Sequence, residues 1–259
     1  MNFTEQELLT LLASFIWPFI RISSMFITIP IFSVKSLPAK IRVIVSLLIT
    51  LVIVPVLPDP PGITMFSYQG FLVTVQQLII GLSTGFILQM VFSVMLVAGQ
   101  SMAYSMGLGF ASMVDPATGV QVPVIAQVFV VSSSLMFLAF NGHLLLIEML
   151  VASFTTLPIA TVGFSLSDIW SIVAWSSQMF SGGVLLAMPV MIALLFVNIS
   201  FGVAARAAPQ LQIFGVGFPI TIMLGMVLIW VYMASALEVF SNVLTNGFGL
   251  ISQLLRVSY

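Results

Sequence analysis

Six apolar runs divide this chain: about Leu8 to Phe32, Ile41 to Leu57, Phe71 to Met106, Val122 to Phe154, Ile169 to Ser200 and Ile213 to Phe240, followed by a short apolar tail. None shows the strict alternation of apolar and polar residues that a half-buried strand or a barrel wall requires, so they predict α-helices. The breaks between them are turn chemistry: Lys35-Ser36-Leu37-Pro38, then LPDPPG at Leu57 to Gly62, then a Gly- and Met-rich stretch from Ser105 to Gln127, then TVGFSLSD at Thr161 to Asp168, then RAAPQ at Arg206 to Gln210.

The lengths do not fit one bilayer crossing per run. A helix rises about 1.5 Å per residue, so Phe71 to Met106 would reach roughly 54 Å, well beyond a hydrocarbon core of about 30 Å. Val122 to Phe154 is also overlong and carries Asn141-Gly142, a strong turn signal, which predicts two helices there. Gly182-Gly183 and Pro189 interrupt the fifth run, and Trp17-Pro18 interrupts the first, which predicts broken or kinked helices. Irregular backbone at membrane depth survives only where protein or a cavity covers it. The fold class expected is all-α, a polytopic helical membrane protein with broken or kinked helical hairpins and about six apolar segments, forming a single membrane domain over residues 1–259 and packed against other subunits.

Composition supports this reading. Hydrophobic residues make up 61% of the 259 and charged residues 5%, with a mean hydropathy of +1.26; a soluble domain carries about 25% charged residues. Six basic residues and a net charge of −1 exclude a nucleic-acid footprint. The absence of cysteine excludes thiol chemistry, and Glu5 and Glu7 stand where a cleavable signal would carry basic residues. Lys35, Lys40 and Arg42 flank the first break and Arg206 the fifth, which puts both on the cytoplasmic side.

Few residues could carry chemistry. GLSTG at Gly81 to Gly85 fits the G-x-S-x-G pattern of a hydrolase elbow, but it lies inside a continuous apolar run where that motif needs a strand and a sharp turn. Gly81 and Gly85 instead form a small-xxx-small face for close helix approach. Arg21, His143 and Glu148 lie within apolar runs, which points to a proton-coupled secondary transporter or to structural roles: Arg21 capping or pairing with a partner subunit, His143 and Glu148 flanking a turn. One histidine and scattered carboxylates supply no metal-ligand set. Met95, Met102, Met106 and Met113 make one helical stripe, either core filling or a soft seal around an opening. In the central stretch, Gly107 and Gly109 permit unusual backbone angles, Phe110, Met113 and Val114 add apolar bulk, and Asp115-Pro116 fits an N-cap followed by proline at the first helical position. Freedom beside bulk suits a plug.

Four motifs in order, LPAKIRVIVSLLITLVIVPVLP at Leu37 to Pro58, GLGFASMVDPATG at Gly107 to Gly119, NGHLLLIEML at Asn141 to Leu150 and ARAAPQLQIFGVGFPI at Ala205 to Ile220, resemble the FliR family of flagellar export-gate proteins. The T components of virulence-associated type III secretion systems are its close relatives, and FGVGFP at Phe214 to Pro219 leans flagellar. The resemblance implies a non-enzymatic, cofactor-free subunit of a helical gate in the bacterial inner membrane, at the centre of the basal body. It would be built with several copies of FliP- and FliQ-family proteins, pass unfolded flagellar subunits, and meet FlhB- and FlhA-family components near Leu37 to Arg42. It further implies a luminal plug formed by the central loop, with Met106, Gly107, Gly109, Phe110, Met113, Val114, Asp115 and Pro116 as gate residues. Arg21, Arg206, Pro209, Gln210, Phe218 and Pro219 would be structural or partner-contact residues, with membrane lipid around the assembly.

Overall fold

A computed structural model describes residues 5–32, 38–58, 62–109, 123–161, 163–207 and 217–258. Among these residues the protein is all-helical, with seven α-helices: α1 (Glu5–Thr28), α2 (Ala39–Ile53), α3 (Tyr68–Ser105), α4 (Val124–Ala139), α5 (Gly142–Thr156), α6 (Leu166–Ala207) and α7 (Phe218–Leu255). A short 3-10 turn, Val54–Val56, extends α2. Five helices are long and apolar enough to cross a membrane, and α4 with α5 form a bent pair that brings the number to six.

The helix ends follow local chemistry. Ser67 accepts a bond from the Gly70 N–H on its Oγ, 3.0 Å, and so caps the start of α3. A reciprocal box opens α6: the Ser165 N–H donates to Asp168 Oδ2, 2.8 Å, and the Asp168 N–H donates back to Ser165 Oγ, 3.3 Å. At the end of α3 the Leu108 N–H reaches the Ala103 carbonyl and the Gly107 N–H the Tyr104 carbonyl, both at 3.0 Å, with Gly107 at φ +84°. This is the Schellman closure, and it needs a residue without a Cβ at that angle. Between α4 and α5, Asn141 adopts φ 54°, ψ 26°, a left-handed conformation that asparagine tolerates better than most residues. The Asn-Gly signal therefore marks a real break.

At the other expected interruptions the helices do not break. Pro18 lies inside α1, and Pro189 lies inside α6, which also runs through Gly182 and Gly183. Each proline removes one backbone bond from a long ladder, and where water is scarce the remaining bonds have no competitor. Gly183 has a packing reason instead: a Cβ there would stand 2.7 Å from the Val97 side chain of α3.

The chain gathers into two compact units. The first comprises Met1–Met90, Leu138–Trp175 and Thr245–Tyr259; the second comprises Val91–Phe137 and Ser176–Leu244. In the first unit, Ala13 and Trp17 of α1 pack with Val73 of α3, flanked by Ile20, Ile63, Met65 and Ile159. Gly81 and Gly85 form the crossing of α1 and α3: a Cβ on Gly81 would overlap Ser24 and the Arg21 carbonyl, and one on Gly85 would stand 2.7 Å from the Met25 carbonyl. The glycines of GLSTG thus serve close packing, as the small-xxx-small reading expects. In the second unit, Phe92 of α3 meets Phe137 of α4 and Phe240 of α7 edge-on at 5.6 and 5.4 Å, a favourable aromatic geometry. Gly99 lets α4 approach so closely that a Cβ would lie 2.5 Å from the Ala126 Cα.

Candidate functional site

Within the second unit, the end of α3 meets the start of α7. Met106 is fully buried, and its side chain fills the notch left by Gly225: a Cβ on Gly225 would lie 2.6 to 2.8 Å from the Met106 Cγ, Sδ and Cε. Gly107 faces the ring of Phe218, the first residue of α7, whose nearest atom would be 3.0 Å from an added Cβ. Asn198 of α6 points its Nδ2 at the Ser105 carbonyl, 3.5 Å away. Gly109 lies against the Tyr104 ring, 2.9 Å from an added Cβ. The foot of the central loop is therefore fixed by α3, α6 and α7 together.

Of the residues expected to form the plug, Met106, Gly107 and Gly109 are described, whereas Phe110, Met113, Val114, Asp115 and Pro116 lie outside the described residues, as do Pro209 and Gln210. Phe218 and Pro219 are exposed at the start of α7, where a proline lacks an N–H that would have no partner in any case. Arg206 is exposed in the last turn of α6, where a cation complements the helix dipole. Met95, Met102 and Met106 all have 0% exposure, so the described part of the methionine stripe fills core.

Arg21 belongs to the first unit and is fully buried. Its Nε donates to Gln77 Oε1 at 2.7 Å, Nη1 to Ser153 Oγ at 3.0 Å and Nη2 to the Leu157 carbonyl at 2.9 Å, while its guanidinium lies 4.1 Å from the Phe154 ring centroid. One cation thus ties α1 to α3 and to the last turn of α5 through uncharged groups. Trp17 adds a bond across the α1–α3 contact, from Nε1 to Thr74 Oγ1 at 3.3 Å. Glu148 is exposed on α5, and His143 Nδ1 is buried with no hydrogen-bond partner among the described residues. Ser83 sits inside the continuous helix α3, with no strand-to-helix elbow around it. Among the described residues no three metal-ligating side chains stand together.

Sequence reasoning missed Gln77, Ser153, Asn198 and Gly225. Gln77 carries a readable signal, an amide within an apolar run, and Gly225 carries a weak one, a glycine inside a predicted helix. Ser153 and Asn198 have none, because their partners lie far along the chain.

Long apolar helices with a largely exposed apolar surface, a buried cation held by neutral groups, and a fixed loop foot define a polytopic α-helical membrane protein. The family model described as bacterial export proteins, family 1, matches residues 12–247, and the chain belongs to this family. It is similar to the flagellar biosynthetic protein FliR of Escherichia coli strain K12, 34% identical over 98% of this chain and 97% of that protein. It is also similar to the FliR proteins of Pectobacterium carotovorum subsp. carotovorum (34% over 87% of this chain and 86% of that one) and Bacillus subtilis strain 168 (28% over 92% of each). Membership and relatives make it a membrane component of flagellar export.

Proposed function

We propose that this chain is a non-enzymatic subunit of the flagellar type III export gate, forming with FliP- and FliQ-family proteins the channel through which unfolded flagellar subunits cross the bacterial inner membrane at the centre of the basal body. The observation that carries the reading is length. The helices α6 and α7 hold 42 and 38 residues, roughly 63 and 57 Å at about 1.5 Å per residue. Exposed large apolar side chains run along α6 from Trp170 through Phe180 and Phe196 to Val203. A hydrocarbon layer of about 30 Å covers about half of that. Apolar helices of neighbouring subunits would cover the rest.

The central loop, Gly107 to Gly119, acts in this reading as the luminal plug. It has one charge, and its foot is clamped at Met106 and Gly107, as a plug held at its base requires. FlhB- and FlhA-family components would meet the gate near Leu37 to Arg42, and Arg206 with Phe218 and Pro219 would face partner helices. Native mass spectrometry after co-expression with FliP- and FliQ-family proteins is expected to give one large complex holding a single copy of this chain; a lone monomer or homodimer would overturn the assignment. Deleting Gly109 to Asp115 is expected to leave that complex intact and make membranes leak small ions, and unchanged permeability would remove the plug role.

A further inference from the structure

The second helix has a length that suits a single bilayer crossing. With its 3-10 turn it covers 18 residues, Ala39–Val56, about 27 Å at about 1.5 Å per residue and close to the hydrocarbon thickness of about 30 Å. The three helices α3, α6 and α7 are about twice as long. Only 11% of the α2 span is buried within the chain. Its inward stripe is Ser46 and Thr50, whose hydroxyls donate back along the helix to the Arg42 and Ser46 carbonyls, each at 2.7 Å, and so require no outside acceptor. The remaining surface exposes Ile41, Ile44, Leu48, Leu51, Val52 and Val56.

Both charges of this helix lie at one end. Lys40 is exposed, and Arg42 is half-buried, its Nε shielded from solvent and without a hydrogen-bond partner among the described residues. Two cations two residues apart at one end of an apolar helix call for an acceptor bearing negative charge, and phosphate matches the guanidinium fork. Basic residues at a membrane interface favour anionic lipid over zwitterionic lipid.

We propose that α2 faces lipid and that Lys40 and Arg42 hold the phosphate of an anionic phospholipid whose acyl chains lie along Ile44, Leu48 and Leu51. This inference rests on the chain spanning a membrane and does not require the export gate, but at Lys40 and Arg42 it puts lipid phosphate in place of the FlhB- and FlhA-family contact proposed near Leu37 to Arg42. Lipid fits α2 because its length matches one hydrocarbon layer and its two cations stand together at one end, where headgroups would lie.

The test uses the full chain in mild detergent, with native mass spectrometry after separate addition of phosphatidylglycerol, phosphatidylcholine and inorganic phosphate. Phosphatidylglycerol adducts are expected to survive activation that strips phosphatidylcholine. The double variant Lys40→Gln/Arg42→Gln is expected to lower their retention about ten-fold or more, since each basic residue near an anionic surface contributes about five-fold. The single variant Lys40→Gln, at an exposed position, is expected to lose part of the retention without any effect on folding. Equal retention of the two lipids, unchanged retention in both variants, or displacement of phosphatidylglycerol by inorganic phosphate would overturn the proposal. So would cross-linking of Leu48→Cys to a partner helix in the assembled complex.

Discussion

At the scale of single residues, Arg21 shows how a charge is tolerated in an apolar helix. Three bonds to neutral acceptors and the face of Phe154 replace the water it lost, and no carboxylate is needed. Replacing it with alanine leaves Gln77 Oε1 and the Leu157 carbonyl without this donor and opens a cavity, so Arg21→Ala is expected to destabilise the protein by about 3 kcal/mol or more. Arg21→Met keeps the volume and buries no charge, and is expected to lose less. Arg21→Lys falls between, because one ammonium cannot span three acceptors held by a fork. Unfolding midpoints in detergent check the order, and an alanine variant as stable as the parent would remove the clamp from the account. Arg21 itself was legible in the sequence as an ionisable group in an apolar run. Its partners were not, since Ser153 and Leu157 lie 132 and 136 positions away and no local pattern links them.

At the scale of elements, sequence punctuation was reliable where it supplied a conformation and unreliable where it merely removed a bond. Asn141 and Gly107 mark real helix ends because each adopts a positive φ that few residues accept. Pro18 and Pro189 mark nothing that ends a helix, because a single missing N–H is a small defect in a long ladder shielded from water. The distinction predicts an asymmetry at the α4–α5 break. Asn141→Gly is expected to be neutral within about 0.5 kcal/mol, whereas Asn141→Val, β-branched at a left-handed angle, is expected to cost about 1–2 kcal/mol. Thermal unfolding of the two variants compares them directly, and equal stability would mean that the turn re-forms without the left-handed residue.

At the scale of the whole molecule, the fold class could be read from composition and run lengths, and the mismatch between those lengths and a bilayer is what motivates the proposal of other subunits. The mismatch is larger than the runs suggested, because α6 stays continuous where a break or kink was expected. A continuous helix of 42 residues with apolar groups exposed from Trp170 to Val203 can present only about 20 residues to hydrocarbon, even with ordinary tilt. The chain has no cysteine, so spin labels placed singly at Val173, Leu185, Ile192, Phe196 and Val203 can report their surroundings without a background. In the assembled state in lipid, oxygen accessibility is expected to be high over a window no longer than about 20 residues and low elsewhere, where protein covers the helix. In the isolated chain in detergent all five positions are expected to be accessible, because micelles adapt to any apolar length. High accessibility at every position in the assembled state would mean that lipid follows the whole helix, and the argument from length to neighbouring subunits would fail with it.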